Sequence, residues 1–291
     1  MITSSIVRRD RRVVVAAALL GLLSIVAVAL LATPADAKRG APKVSVMTRN
    51  VYLGADLTPG IEAQNLDELV DAAGQVLNEV DANKFQVRAK GLAKEILDRK
   101  PRLVGLQEAA LWRDAPCGSP IIPPQATHVR GGGDFIRLLM DQLNDGRKRY
   151  RVAVRQAEFD FETPANTDGS PDHSCDINGR LTMRDAILVR RHAGVKTSNP
   201  QSANFETLLQ VRVSGVPVNV TRGWTAIDAT VGESPGFRFV NTHLEAFDNQ
   251  ESNATNQGTE VGNGQVRKAQ ALELIRSGRP GNRFPAGDPA G

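Results

Sequence analysis

Cysteine is scarce in this sequence, and repeated or linker-like segments are lacking altogether. The only cysteines among the 291 residues are Cys117 and Cys175, both in polar stretches rich in proline or glycine. If the chain is exported, as the leader described next indicates, this even count favours one disulfide bond between them, with two free thiols as the alternative. Without internal repeats or a linker, the chain is expected to form one domain.

The N-terminal segment combines positive charge with a long uncharged run. Four arginines precede residues 13–32, which carry no charge, and a small-x-small cleavage signal ends at Ala37. We interpret residues 1–37 as an export signal peptide. Because the uncharged run is long enough to cross a bilayer, an uncleaved N-terminal membrane anchor is the alternative. Either way, residues 38–291 are expected outside the cytoplasm, and the first expectation is secretion.

Net charge is also small once this leader is set aside. The leader holds four arginines and two aspartates, so 32 basic and 30 acidic residues remain. This near-neutral balance gives no overall electrostatic footprint for nucleic acid, although a local basic patch is not excluded.

Three apolar segments each end in a side chain that can carry chemistry. Residues 43–50 end in Asn50, residues 102–108 end in Glu108, and the alternating segment 237–244 delivers His243 near its end. Each pattern predicts a β-strand. If the three strand ends meet at one sheet edge, they form a polar site that can hold a metal ion and a phosphate.

The rest of the chain alternates between helical and extended patterns. An asparagine and glycine-rich loop is expected at 246–264, and polar residues 158–179 are expected to form a surface insertion. Helices are predicted at 65–81, 85–100, from an N-cap at Asp134, and at 265–276; further strands are predicted at 149–154, 186–190, 208–213 and 225–230. This mixture predicts a layered α/β or α+β domain built on a sheet core, and the resemblance described below favours α+β.

Glu108 carries the strongest chemical signal. A carboxylate that directly follows an apolar strand is costly to bury unless it is paired or binds a cation. Mg²⁺ prefers oxygen ligands and needs only one or two carboxylates besides water and substrate phosphate. The alternative is a salt bridge to Arg102 or Arg113.

Asn50 and His243 are less informative when each is taken alone. The Asn50 amide can ligate a metal ion or orient a phosphate, but asparagine at a strand end more often forms a turn. The His243 imidazole can protonate a leaving oxygen or contact a phosphate, and the alternative is a core histidine satisfied by the backbone. For Asp185, an ion pair with the preceding Arg184 is expected.

Taken together, the motifs resemble the endonuclease/exonuclease/phosphatase superfamily, which includes deoxyribonuclease I and secreted bacterial sphingomyelinases. The resemblance rests on the order of residues 46–52 (VMTRNVY), 101–108 (PRLVGLQE), 184–188 (RDAIL) and 240–244 (VNTHL), and covers roughly residues 43–288. Residues 50–52 and 266–270 look most like the sphingomyelinase branch.

The resemblance implies a four-layer α/β/β/α sandwich of the deoxyribonuclease I type and Mg²⁺-dependent phosphodiester cleavage. By the family pattern, Glu108 binds Mg²⁺, Asn50 helps to position the metal ion or phosphate, and His243 contacts the phosphate or assists the leaving group. The implied substrate is a phospholipid head group or a nucleic acid. A monomer is expected, with transient contact to a membrane surface if the substrate is a lipid.

The family pattern continues with Gly-Asp-Phe/Met-Asn and closes with Ser-Asp-His. Here Gly287 and Asp288 match the start of the first motif, so Asp288 is the remaining catalytic candidate, but Pro289 and Ala290 follow it. The sequence therefore predicts a domain that lacks its C-terminal strands, with little or no activity and marginal folding. A non-catalytic secreted binding module on the same scaffold, or a frameshifted gene product, are the rival interpretations.

Overall fold

The computed structural model describes residues 43–247, 255–256, 259–260 and 264–277. Its helices are α1 (Thr58–Glu62), α2 (Leu66–Asn83), α3 (Phe85–Arg99), α4 (Phe135–Leu143) and α5 (Gln265–Ser277). Its strands are β1 (Val46–Asn50), β2 (Leu103–Gln107), β3 (Leu111–Pro116), β4 (His128–Asp134), β5 (Tyr150–Ala165), β6 (Ile177–Arg190), β7 (Val195–Asn204), β8 (Leu209–Val213), β9 (Val216–Val220), β10 (Gly223–Val231), β11 (Phe237–Thr242), β12 (Thr255–Asn256) and β13 (Thr259–Glu260).

The largest sheet is organised around the long strand β6. On one side, β6 pairs with β2 and with β3 at different positions along its length, and the strand order is β1-β2-β6-β3-β4. On its other side, β6 pairs with β5. β1 and β2 run parallel, and Asn50 pairs in register with Gln107. Both strands therefore end at the same edge, which places Glu108 beside Asn50.

A second sheet, ordered β11-β10-β7, packs on the first through an apolar layer. The buried side chains of this layer come from both sheets: Leu103, Ile187, Val189, Ile227 and Ala229. The sheets approach closely at Gly105, where an added Cβ would lie 2.3 Å from Oδ1 of Asn241. This contact brings the end of β11, and with it His243, to the edge formed by β1 and β2.

Helices cover the outer faces of the two sheets. The apolar faces of α2, α3 and α4 bury a large core against the first sheet, with Leu77, Ile96 and Leu139 at most 2% exposed. On the second sheet, Leu274 of α5 packs against a cluster that contains Trp224. The chain therefore has the four-layer α/β/β/α arrangement that the resemblance implied.

The predicted helices are close to those observed, and their ends follow ordinary capping chemistry. Asn65 accepts a hydrogen bond from the backbone N–H of Glu68 at the start of α2. Asp134 caps α4 in the same way through the N–H of Arg137, as the sequence predicts.

The expected surface insertion at 158–179 is wrong for half of its length. β5 extends to Ala165 and β6 begins at Ile177, so residues 158–165 and 177–179 are paired sheet, whereas residues 166–176 connect the two strands. The segment looks polar because some of its buried side chains are carboxylates with hydrogen-bond partners. Glu162, for example, is 3% exposed and accepts the N–H groups of Gln125 and Ala126. Hydrophobic periodicity does not report a buried polar strand of this kind.

A disulfide bond joins Cys117, which follows β3, to Cys175, which precedes β6, and this pairing confirms the sequence prediction. Their Cα atoms lie 5.9 Å apart, within the usual range for a disulfide. The expected signal peptide at 1–37 lies outside the described residues. Among the helices that the structure describes, none is long and apolar enough to span a membrane.

Candidate active site

Three strand ends meet at one edge of the sandwich, as the sequence predicts. Nδ2 of Asn50 donates a 2.7 Å hydrogen bond to Oε1 of Glu108, and Nε2 of His243 lies 3.3 Å from the same oxygen. The other carboxylate oxygen accepts the backbone N–H of Leu53 at 2.9 Å. Glu108 is thus the centre of the site, held by residues from three segments of the chain.

These contacts determine the charge of Glu108. Burial by itself would raise the pKa of this carboxyl group, but the hydrogen bonds from His243, Asn50 and the Leu53 N–H outweigh burial and lower the pKa to about 2. The carboxylate is therefore ionised at neutral pH. Neither of the alternative partners reaches it: Arg102 binds backbone oxygens, and Arg113 binds Asp160 and Thr182.

The segment after Asn50 supports this geometry from below. Oδ1 of Asn50 accepts the N–H of Tyr52 at 2.8 Å, so Asn50 forms a turn and holds Glu108 at the same time. Arg88 of α3 donates to the carbonyl oxygens of Val51 and Tyr52, and its guanidinium lies 5.3 Å from the centre of the Tyr52 ring. Sequence reasoning missed Arg88, because a basic residue on a helix usually faces solvent.

His243 has one nitrogen toward Glu108 and one without a partner. Nδ1 is buried and has no hydrogen-bond partner among the described residues. The alternative of a core histidine satisfied by backbone groups therefore does not hold. A buried imidazole nitrogen without a partner is a group that a bound ligand or water can satisfy.

The donor set around Glu108 fits the protein's share of a Mg²⁺ site. Glu108 supplies an anionic oxygen pair, and its side chain retains 16% exposure at the sheet edge. A single carboxylate is sufficient for Mg²⁺ when water and substrate phosphate complete the coordination. Among the described residues, no group of three or more His, Cys, Asp or Glu side chains is arranged to hold a metal ion. Of these residues, Glu108 is the one that would hold the metal ion, and Asn50 Nδ2 fixes the position of its carboxylate.

Asp185 lies behind this edge, inside the protein, and its expected ion pair with Arg184 is wrong. Arg184 points to the other face of β6 and binds Asp134 at 2.7 Å, because neighbouring strand residues face opposite sides. Asp185 is completely buried and accepts a 3.2 Å hydrogen bond from Nδ2 of Asn241. The nearby backbone N–H of Glu108 acts to lower the pKa of Asp185, so Asp185 lies close to the turn that carries Glu108.

Asp185 shares its buried environment with a second carboxyl group, Glu158 of β5. Burial, followed by the nearby charge of Glu158, raises the pKa of Asp185 well above its ordinary value. Burial likewise raises the pKa of Glu158 to about 8, although Arg222 and the N–H of Gly223 act in the opposite direction. Oε2 of Glu158 and Oδ1 of Asp185 have no other partner among the described residues, so we infer that the two groups share a proton.

Arg222 completes this interior network with a buried ion pair to Glu245. Nε of Arg222 lies 3.2 Å from the carboxylate of Glu245, a residue that is fully buried just beyond His243. The N–H of Glu245 in turn donates to Gln270 of α5 at 2.9 Å. Sequence reasoning missed Arg222, Glu158 and Glu245, since polar residues in turns and polar strands give no sign of burial.

An apolar pocket of about 190 Å³ adjoins the site. Glu108, His243 and Arg222 form part of its wall, and aliphatic and aromatic side chains form most of the remainder. The last sequence-predicted site residue, Asp288, lies outside the described residues, so the structure brings together three of the four candidates.

No protein-family model matches this chain, and no curated protein matches it. Solved structures with a similar fold include the following three. An endonuclease/exonuclease/phosphatase family protein from Leptotrichia buccalis C-1013-b has a TM-score of 0.38 and 10% identity, covering 82% of this chain and 63% of that chain. The human Nocturnin catalytic domain with bound sulfate anion has a TM-score of 0.34 and 16% identity, covering 80% and 57%.

TDP2 from Caenorhabditis elegans has a TM-score of 0.29 and 15% identity, covering 70% of this chain and 35% of that chain. The chain thus spans between 35% and 63% of the length of these three proteins. The Leptotrichia protein carries the name of the superfamily that the sequence motifs resemble. At such TM-scores and identities the similarity concerns the fold, and the functional argument rests on the site itself.

Proposed function

We propose that this chain is an exported, monomeric hydrolase of phosphodiesters that uses a divalent metal ion, Mg²⁺ first among them. The observation that carries the proposal is the carboxylate of Glu108, kept ionised by Asn50, Leu53 and His243 where three strand ends meet. A bound metal ion would neutralise charge on the substrate phosphate. The substrate is a phospholipid head group or a nucleic acid, with transient contact to a membrane surface in the former case.

The residues of the site divide the work between them. Glu108 binds the metal ion, and Asn50 keeps its carboxylate in place. His243 contacts the phosphate or stabilises the leaving oxygen, a role supported by its partly exposed side chain, 15% accessible, beside Glu108. Activation of the attacking water is assigned to none of the described residues, so we expect slow turnover.

The disulfide bond supports the export part of the proposal. Disulfides form and persist in oxidising compartments and are rare where thiols are kept reduced. Cys117 and Cys175, the only cysteines in the chain, are joined. Fractionation of cells that express the full chain tests this part: we expect the oxidised protein outside the cytoplasm, and a reduced cytoplasmic protein would contradict export.

Hydrolysis of bis(p-nitrophenyl) phosphate tests the chemistry. We expect slow, Mg²⁺-dependent hydrolysis by the purified chain at high protein concentration, abolished by EDTA. Glu108→Gln should reduce the rate at least about 10²-fold and remove the rise in melting temperature that MgCl₂ produces. Glu95→Gln, which removes an exposed carboxylate paired with Arg49, is the matched control and should leave both unchanged.

Two results would decide against the hydrolase. One is equal hydrolysis by the unmodified chain and Glu108→Gln, which would place the activity elsewhere. The other is a stable, cooperatively melting chain with no hydrolysis and no response to Mg²⁺, which would favour the non-catalytic binding module instead.

A further inference from the structure

The apolar pocket beside Glu108 is not explained by hydrolysis of a phosphodiester alone. Its wall draws on α1, α2, the first sheet and the β8–β9 hairpin, and it encloses about 190 Å³. Representative wall residues are Leu69, Val76, Leu181, Met183, Val211 and Phe247. An apolar cavity of this size is large enough to hold a small apolar group.

The chemistry of the wall limits what that occupant can be. Its ionisable side chains are Glu108, His243 and Arg222, and Arg222 already binds Glu245. Polar groups placed against the apolar remainder would lose their hydrogen bonds to water without replacement. A nucleic acid strand, with polar base edges and a charge at every phosphate, does not suit such a wall. An aliphatic chain does.

We propose that this pocket binds the aliphatic chain of an amphiphilic phosphodiester whose phosphate lies at Glu108 and His243. The inference rests on the proposed function, because it uses the same two residues to place the phosphate. It deepens that function by selecting a chain-bearing substrate over nucleic acid. Binding of the aliphatic chain in the pocket supplies affinity, while the site at the strand ends acts on the phosphate of the head group.

A homologous series of probes measures the contribution of the chain directly. Alkylphosphocholines from butyl to dodecyl, each below its aggregation concentration, are titrated by calorimetry into the full-length protein in the presence of MgCl₂, and the slow turnover expected above leaves the probes intact during the titration. Each buried methylene is expected to raise the affinity about fourfold until the pocket is full. An affinity that does not depend on the length of the alkyl chain would overturn the proposal. This includes the case in which another segment of the polypeptide fills the pocket.

A filled pocket provides the matched test. Ala73 of α2 is a half-buried wall residue, so Ala73→Phe should occupy the cavity and abolish the dependence on chain length. Ala82→Phe, on an exposed position of the same helix outside this wall, is the control and should bind as the unmodified chain does. If Ala73→Phe and Ala82→Phe bind the alkylphosphocholines equally well, the alkyl chain of the probe does not lie in this pocket.

A substrate without an aliphatic chain separates this inference from the proposed function. Hydrolysis of methyl p-nitrophenyl phosphate by the unmodified protein tests the hydrolase alone, because this substrate has no alkyl chain to place in the pocket. Chain-dependent binding without any hydrolysis would refute the hydrolase and keep the pocket. Glu108-dependent hydrolysis without chain-dependent binding would keep the hydrolase and refute the pocket.

Discussion

At the scale of single residues, Glu108 combines an unfavourable backbone conformation with favourable contacts of its side chain. Its φ of +56° lies in the left-handed region, which costs a non-glycine residue of order 1–3 kcal/mol. Hydrogen bonds from Asn50, His243 and the N–H of Leu53 act on its carboxylate. Strained residues that persist in this way concentrate at functional sites, and the strain here turns the carboxylate toward the sheet edge.

The low pKa of Glu108 predicts a stability difference that depends on pH. The pKa of about 2 in the folded chain lies below the ordinary 4.5, so ionisation of Glu108 stabilises the fold above about pH 4.5. This contribution, on the order of 3 kcal/mol, is lost as the pH falls from 4.5 to 2. In urea unfolding, the free energy of unfolding of the unmodified chain should exceed that of Glu108→Gln at pH 6, and this difference should vanish near pH 2. A constant difference would contradict the assignment.

The pair formed by Glu158 and Asp185 predicts the opposite trend. The pKa of Glu158, about 8, lies above its ordinary value, so the folded chain holds the extra proton between about pH 4.5 and 8. Stability is therefore lost as the pH rises through this range. Glu158→Gln mimics the protonated form and keeps an acceptor for the N–H of Gly223. In urea unfolding, this variant should gain stability relative to the unmodified chain between pH 5 and pH 8.

Asp160, also on β5, is the matched control for Glu158. Burial would raise the pKa of Asp160, but hydrogen bonds from Arg180 and Thr182 outweigh it and lower the pKa. Asp160→Asn should therefore lose the same free energy of unfolding at pH 5 and pH 8. If Glu158→Gln behaves in the same manner, the two buried acids do not share a proton.

At the scale of elements, β2 and β5 show which patterns the sequence reveals. β2 is apolar up to Gln107 and is followed directly by the charged Glu108, so the position of the strand and of this carboxylate follow from the sequence. β5 buries Glu158, Glu162 and Thr163 among hydrogen-bond partners, and these residues look like a solvated loop. Sequence patterns report burial only where the buried side chains are apolar. The proximity of Asn50, Glu108 and His243 could be predicted from the sequence, whereas the buried pair of Glu158 and Asp185 is visible only in the folded structure.

Gly105 of β2 predicts how tightly the two sheets must pack. A Cβ at this position would lie 2.3 Å from Oδ1 and 2.9 Å from Cγ of Asn241, two residues before His243. Gly105→Ala should therefore displace β11 and lower the free energy of unfolding by about 1–3 kcal/mol. Gly91→Ala on α3, where nothing lies within 4 Å, should instead stabilise the chain by about 0.5–1 kcal/mol. Urea unfolding measures both, and a neutral Gly105→Ala would contradict the close sheet contact.

At the scale of the whole molecule, the two sheets communicate through polar groups as well as through apolar packing. Asn241 of β11 donates to Leu106 and Asp185, both on the first sheet, and Arg222 pairs with Glu245 behind the site. Gln270 links Glu245 to α5. The site at the strand ends therefore depends on the packing of all four layers, and agents that loosen the fold should also disturb the site.

The disulfide bond is the covalent constraint on this assembly. It closes a loop of 58 residues between Cys117 and Cys175 that contains α4, β4 and β5. Restricting a loop of this length in the unfolded chain stabilises the fold by about 4 kcal/mol in the chain-entropy treatment. We expect the Cys117→Ser/Cys175→Ser double variant to lose stability of this order in urea unfolding. Reduction of the unmodified chain with dithiothreitol should reproduce the loss, whereas the double variant should not respond to the reductant. If the oxidised chain and the double variant are equally stable, residual structure already restricts this loop in the unfolded chain, and the disulfide bond removes no further entropy from it.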